Sequence, residues 1–230
     1  MHEIKLDDRL QSLTKFITPG GILLDVGTDH GFLPIYLIQN NLCMKVIASD
    51  INIGPLNNAH KNILKYNTPN IDLILSDGLK NIIPGSFTDI IIAGMGAHTI
   101  INILIESKWI LNSQYNFIFQ PMSNVEILRE FLYNNGFNII KEDLSKDNDK
   151  LYVILHCKYT NNIIKTDFFR FYIGEILNSE SPFVKLYLQK QIKKLEIKYN
   201  GLLCLKNSDN IEFYLNALNK IREIHETLNT

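Results

Sequence analysis

The run Leu23-Leu24-Asp25-Val26-Gly27-Thr28-Asp29-His30-Gly31-Phe32-Leu33-Pro34 holds the densest grouping of chemically capable residues in this 230-residue chain. An apolar stretch leads into Asp25, breaks at Gly27 and resumes after Gly31 as an apolar, helix-like segment. That is the strand–loop–helix order that brings backbone amides close to a bound nucleoside. The spacing departs from the dinucleotide pattern Gly-x-Gly-x-x-Gly, because Asp29 stands where its second glycine would be and His30 follows. An acid in such a loop is on offer to a second reactant.

Ligands of open parallel sheets sit outside the carboxyl ends of the strands, where neighbouring loops diverge. Three further apolar runs end in residues suited to that place. Val46-Ile47-Ala48-Ser49-Asp50 puts an acid 25 positions after Asp25, next to Ile51, where a carboxylate can accept both hydroxyl hydrogens of a ribose. Ile74-Leu75-Ser76-Asp77-Gly78 offers an acid to an adenine amino group. Ile91-Ile92-Ala93-Gly94-Met95-Gly96 ends in two glycines that let backbone approach a ligand closely. Each has a plainer use. Asp25 can cap the following helix, Asp50 can close a strand in a turn, and Gly94 and Gly96 can serve turn geometry alone. His30 can be a loop hydrogen-bonder, and His98 can cap a helix or face solvent. As a set, acids at the ends of three successive strands point to a nucleoside cofactor held by Asp25, Gly27, His30, Asp50, Ile51, Asp77, Gly78, Ala93 and Gly94.

Asp29 also selects among such cofactors. The pyrophosphate of NAD needs unobstructed amides in the first loop, and a carboxylate there repels it. A sulfonium cofactor carries no phosphate and has a positive reactive centre. Electrostatics therefore favour S-adenosylmethionine.

The elements that must position these residues alternate through residue 158. Strands are expected near 22–26, 45–50, 71–76, 87–93, 115–120, 137–144 and 150–158. Helices are expected near 7–17, 32–40, 55–66, 97–108 and 124–135, with a turn near 79–83. The alternation implies βαβ units and a mainly parallel sheet covered on both faces. Only the polar stretch 145–150 separates the last two strands, which predicts an antiparallel hairpin at one edge.

Past Cys157 the pattern changes, with Tyr159-Thr160-Asn161-Asn162 as linker. Asp167 is expected to cap a helix carrying Phe168, Phe171, Tyr172 and Ile176, and Ser181-Pro182 to open another. Val184, Leu188, Ile192, Leu195, Tyr199 and Leu202 recur at helical steps. After a break at Asn207-Ser208-Asp209, so do Ile211, Tyr214, Leu218, Ile221, His225 and Leu228. Two such helices should pair as an antiparallel hairpin or coiled coil, with the apolar stripes satisfied in one chain, so a monomer is expected. The domains are then 1–160, a cofactor-binding α/β unit, and 161–230, a helical coiled-coil unit.

Composition narrows the class. Hydrophobic residues make up 46% and charged residues 20%, which describes an ordered globular protein. No apolar run approaches the roughly 18 residues of a membrane span, and Met1-His2-Glu3-Ile4-Lys5 lacks a signal-peptide plan, so a cytoplasmic location is expected. Cys43, Cys157 and Cys204 fit neither a zinc spacing nor a disulfide framework, so no metal is expected. The net charge of −1 divides into −3 for residues 1–160 and +2 for residues 161–230. Between Lys185 and Lys198 five lysines, including Lys190, Lys193 and Lys194, face one acid, Glu196. That run reads either as a solvated helix face or as a phosphate-contacting stripe.

Five motifs together resemble the bacterial tRNA (adenine-N1)-methyltransferases that act at position 22, the TrmK family. They are Leu6-Asp7-Asp8-Arg9-Leu10, the Asp25–Pro34 run, Ser76-Asp77-Gly78-Leu79, Ile92-Ala93-Gly94-Met95-Gly96 and Phe119-Gln120-Pro121. Order and spacing agree over roughly residues 5–158. Two positions depart: Ala97 stands where a second glycine is frequent, and Met122 where an asparagine is. The resemblance implies an α/β fold of class I, a Rossmann-like methyltransferase with a seven-stranded sheet and a C-terminal helical coiled-coil domain. It implies tRNA as partner, Arg9 and Asp29 at the target adenine, and Met95, Gly96, Gln120 and Pro121 among substrate contacts.

Adenine N1 has a lone pair and needs no deprotonation before attacking a methyl group, so catalysis would rest on alignment. Asp29 could accept a hydrogen bond from the N6 amino group and stabilise the cation formed by N1 methylation. Arg9 could bind a phosphate or orient Asp29; its plain alternative is a surface salt bridge. Rival classes are a methyltransferase for another RNA or small molecule, a non-catalytic scaffold using the helical tail, and a dehydrogenase, which Asp29 opposes. Ala-Gly-Met-Gly after the fourth strand disfavours exocyclic-amine methylation, which usually uses an Asn/Asp-Pro-Pro-aromatic motif.

Overall fold

A computed structural model describes residues 3–85, 87–204 and 210–228. Seven strands, β1 (Gly21–Val26), β2 (Cys43–Asp50), β3 (Ile71–Leu75), β4 (Asp89–Met95), β5 (Asn116–Pro121), β6 (Phe137–Asp147) and β7 (Lys150–Tyr159), form one sheet. Their order is β3-β2-β1-β4-β5-β7-β6. The first five run parallel, and β7 lies antiparallel between β5 and β6. The expected hairpin is therefore present, with β6 at the edge. The order reverses between β1 and β4, and a crevice opens at their carboxyl ends.

Alternate residues of the central strands point to opposite faces. Leu24, Val26, Ile90, Ile92, Phe117 and Phe119 pack on one side, with Ile100 and Leu104 of α4 (Ala97–Glu106) and Leu128 and Leu132 of α5 (Val125–Asn134). Leu23, Val46, Ile91 and Ile118 pack on the other, with Leu33, Ile35 and Leu37 of α2 (Phe32–Gln39) and Leu13 of α1 (Asp8–Leu13). Burial on both faces is why these strands read as unbroken apolar runs. Each fully buried Leu, Ile or Phe contributes about 1.5–3 kcal/mol of transfer free energy. The helix between β2 and β3, α3 (Ile53–Tyr66), buries Leu56, Ala59 and Ile63.

The expected helix over 7–17 is shorter. Asp7 caps α1 by accepting the Leu10 N–H at 2.6 Å, and a 3-10 turn (Thr14–Phe16) completes the segment. In the tail, α6 (Phe168–Ile173) stops at Gly174, so Ile176 falls in a separate 3-10 turn. Asp167 precedes α6 but makes no side-chain cap bond. Pro182 lies just ahead of α7 (Val184–Cys204), which pairs with α8 (Ile211–Thr227). Leu188, Leu195, Leu218 and Ile221 fill the seam, as their spacing predicts. The break at Asn207-Ser208-Asp209 lies outside the described residues.

The second buried face of α7 was not evident from its stripe. Tyr187, together with Ile176, belongs to the core of the sheet domain. Its hydroxyl accepts from Arg129 Nη1 at 2.8 Å and donates to the Tyr172 carbonyl at 2.6 Å. No described helix is long and apolar enough to cross a membrane.

Candidate active site

Local backbone chemistry shapes the loop after β1. Gly27 and Thr28 both donate their N–H to the Ser49 carbonyl at 2.8 Å, so the loop stays joined to β2 for two residues past the strand. Gly27 has φ +81°, and a Cβ there would clash with the Met95 side chain, 2.4 Å from its Cε. Asp29 follows with φ 53°, a left-handed conformation that aspartate tolerates better than most residues. Its N–H donates to Asp50 Oδ2 at 3.2 Å, while Asn52 N–H reaches Asp50 Oδ1 at 2.9 Å. Backbone amides on either side thus set the plane of the Asp50 carboxylate.

The three acids of this region sit at different depths. Asp25 and Asp50 are buried. Desolvation pushes the Asp25 carboxyl up to about 6; the Thr28 hydroxyl opposes that rise and the Asp50 charge adds to it. The Asp29 side chain is 68% exposed and stands 3.7 Å from His30 Nε2. His30 in turn stacks on Phe32, with ring centroids 5.4 Å apart.

These residues line a cleft of about 840 Å3 at the topological switch point. Of the residues singled out in the sequence, Arg9, Asp25, Gly27, Asp29, His30, Asp50, Ile51, Asp77, Gly78, Ala93, Gly94 and Met95 all line it. Gly96 sits at the start of α4, just past its wall. Gln120 and Pro121 do not reach the cleft: both are buried, so the expectation of direct substrate contact is corrected. They lie on a strand whose two faces are covered, and Gln120 turns inward. Its Oε1 accepts from Arg9 Nη1 at 2.9 Å and from the Gly94 N–H at 3.2 Å.

Arg9 is therefore held by Gln120, with Asp7 3.6 Å away, and does not orient Asp29. Lys190 and Lys193 lie on the exposed side of α7, away from the cleft. Lys194 departs from the expected stripe: its ammonium is engaged by Glu126 of α5 at 2.7 Å. Consecutive helical positions differ in direction by about 100°, which turns Lys194 towards the sheet domain and Lys193 away from it.

Sequence reasoning missed one wall of the cleft. Thr99, Asn102, Ile103 and Glu106 of α4 line it, as does Lys80. Lys80 Nζ bridges Asp77 at 2.5 Å and Glu106 at 3.2 Å, and the bond to Asp77, then that to Glu106, holds its ammonium pKa up. A signal was present, since Thr99, Asn102 and Glu106 repeat at three- and four-residue steps on a helix whose other positions, His98 excepted, are apolar.

Charge in the cleft is one-sided. Asp7, Asp25, Asp29, Asp50, Asp77 and Glu106 stand against Arg9 and Lys80. Such a field suits a cationic ligand and disfavours a pyrophosphate. The residues fit S-adenosylmethionine: Asp50 and Asp77 present carboxylates to the cleft from the carboxyl ends of β2 and β3, and among the described residues the cleft holds no cluster of cations to receive a phosphate.

An antiparallel β7 between β5 and β6, with an acid-lined cleft at the switch point, defines a class I methyltransferase. A family model described as a methyltransferase domain matches residues 6–155. The tRNA (adenine(22)-N(1))-methyltransferase of Bacillus subtilis is 34% identical over 156 residues, a match spanning 67% of this chain and 66% of that protein. Mycoplasma capricolum TrmK, solved with S-adenosyl-homocysteine, superposes with a TM-score of 0.76 at 29% identity, covering 96% of this chain and 98% of that one. Sp1610 of Streptococcus pneumoniae, solved with S-adenosyl-L-methionine, gives a TM-score of 0.79 at 31% identity, covering 93% and 100%. This chain belongs to the TrmK family.

Proposed function

We propose that the protein transfers a methyl group from S-adenosylmethionine to N1 of adenine 22 in tRNA. The observation that carries this reading is the division of labour among the acids. Asp25 and Asp50 are buried beneath the loop, whereas Asp29 is presented at the mouth of the same cleft. Asp50 and Asp77 would hold the ribose and adenine of the cofactor, with Gly27 and Gly94 supplying close backbone. The cofactor, when bound, supplies an electrophilic methyl group.

Asp29 accepts a hydrogen bond from the N6 amino group of the target base and so points N1 into the cleft. Because methylation leaves the base cationic, the same carboxylate stabilises the charge as it develops, where preorganised electrostatics contribute most. Arg9, which is partly exposed at the cleft wall, closes on the base or on its phosphate. N1 lies on the Watson–Crick edge, so the target must be extruded or its local fold opened first. Lys190 and Lys193, exposed on α7, supply contacts to the RNA backbone. The protein acts in the cytoplasm as a monomer, a state supported by Leu188, Leu195, Leu218 and Ile221 being buried within one chain.

Incubation with methyl-labelled cofactor and unmodified tRNA, followed by mapping of the product, tests the reading. Label at N1 of adenine 22 is expected. Label at another base, or only on a small molecule, would overturn it.

A further inference from the structure

Gln120 of β5 joins the N-terminal helix α1 to the carboxyl end of β4, accepting from Arg9 of the one and Gly94 of the other. Opposite it, the β4–β5 pairing loses register between Ala93 and Met95. That irregularity takes the Gly94 N–H out of the ladder. Gln120 Oε1 answers it at 3.2 Å and accepts Arg9 Nη1 at 2.9 Å with the same atom. Its Nε2 donates to the Pro121 carbonyl at 3.0 Å. With two donors on one side and a carbonyl on the other, the amide has one satisfactory orientation. Gly94 has φ +77°, and a Cβ there would stand 3.7 Å from Arg9 Nη1, so cleft backbone and guanidinium are neighbours through this one contact.

We infer that Gln120 is a positioning residue for the methyl transfer. It touches neither reactant, being 0% exposed, and it sets the pose of Arg9 relative to the cofactor-side backbone at Gly94. The inference rests on the proposed role of Arg9 at the target base. It assigns to a buried amide the geometric tolerance of the site, where a misplacement of about 1 Å can cost on the order of 100-fold in rate.

A double-mutant cycle tests it, using the full chain, S-adenosylmethionine and unmodified tRNA. Gln120→Leu is expected to lower kcat about 10-fold or more, with affinity for S-adenosylhomocysteine held within about threefold. Gln120→Glu keeps an acceptor for both donors and should recover most of the loss. In an Arg9→Ala background, Gln120→Leu should lower kcat by less than about twofold further, because the group it positions is gone. Losses that multiply across the cycle, or a Gln120→Leu protein with normal kcat, would overturn the inference. An Arg9→Ala protein with normal kcat would instead sink the Arg9 role itself, and the inference with it. If Gln120→Leu does not fold, Gln120→Asn runs the same cycle, since it keeps a buried amide but withdraws it from Arg9.

Discussion

Arg129 of α5 and Glu142 of β6 form a two-pronged ion pair in which neither side chain has any solvent exposure. Nε–Oε1 is 2.9 Å and Nη2–Oε2 is 2.6 Å. The remaining nitrogen donates to the Phe171 and Tyr172 carbonyls at 3.0 and 2.8 Å and to the Tyr187 hydroxyl. The pair therefore fastens α6 and α7 to the sheet.

Removing one partner strands the other charge in the interior. Arg129→Met should destabilise the protein by about 3–5 kcal/mol. Arg129→Met with Glu142→Leu should recover a substantial part, because two apolar side chains replace two desolvated charges. Urea denaturation of the three proteins decides it; a single variant as stable as the parent would refute the bolt.

Asp29→Ala should collapse turnover while leaving cofactor affinity within a few-fold, because the proposed reading gives the exposed carboxylate to the base and the buried acids to the cofactor. Single-turnover methylation and calorimetry with S-adenosylhomocysteine give the two readouts. Methylation of tRNA at the parental rate would remove Asp29 from the mechanism.

The lysines of α7 are best probed by charge, since deleting residues 161–230 would also strip Arg129 of its partners. Lys190→Glu with Lys193→Glu should weaken tRNA binding and lower the salt-dependence slope by about 2, leaving cofactor affinity unchanged. Equal tRNA affinity at matched salt would return these lysines to the role of a solvated face. Lys194→Ala should cost stability instead, through the loss of Glu126 as its partner.

Asp25 carries a pH signature. Its carboxyl is raised from 3.8 to about 6, so between those values the folded protein holds a proton that the unfolded chain releases. Stability from this group is then greatest at low pH and declines as pH rises through about 6, by about 3 kcal/mol in all at 1.36 kcal/mol per unit. Asp25→Asn should flatten that decline in a series of denaturation curves from pH 4 to 7.5. A parallel decline in the variant would place its origin elsewhere.

Much of the site was legible because the chemistry lay where strands end. Runs buried on both faces are continuous and apolar, so their last residues stand out, and Asp25, Asp50, Asp77 and Gly94 could be read one strand at a time. Asp29 was legible by contrast with the glycine that a phosphate would require. Partnerships across the fold were not. Gln120 and Arg9 are 111 positions apart, and nothing in Phe-Gln-Pro shows whether the amide faces a ligand or a guanidinium.

The sequence by itself determined the sheet, the order of its elements and the sign of the cleft, because hydrophobic period and residue type act locally and accumulate along the chain. Only the tertiary structure decided which buried polar groups satisfy one another: Gln120 with Arg9, Glu126 with Lys194, Arg129 with Glu142. Desolvation makes those choices. A buried charge or amide must find a partner, and which one lies within 3 Å is settled when distant segments pack.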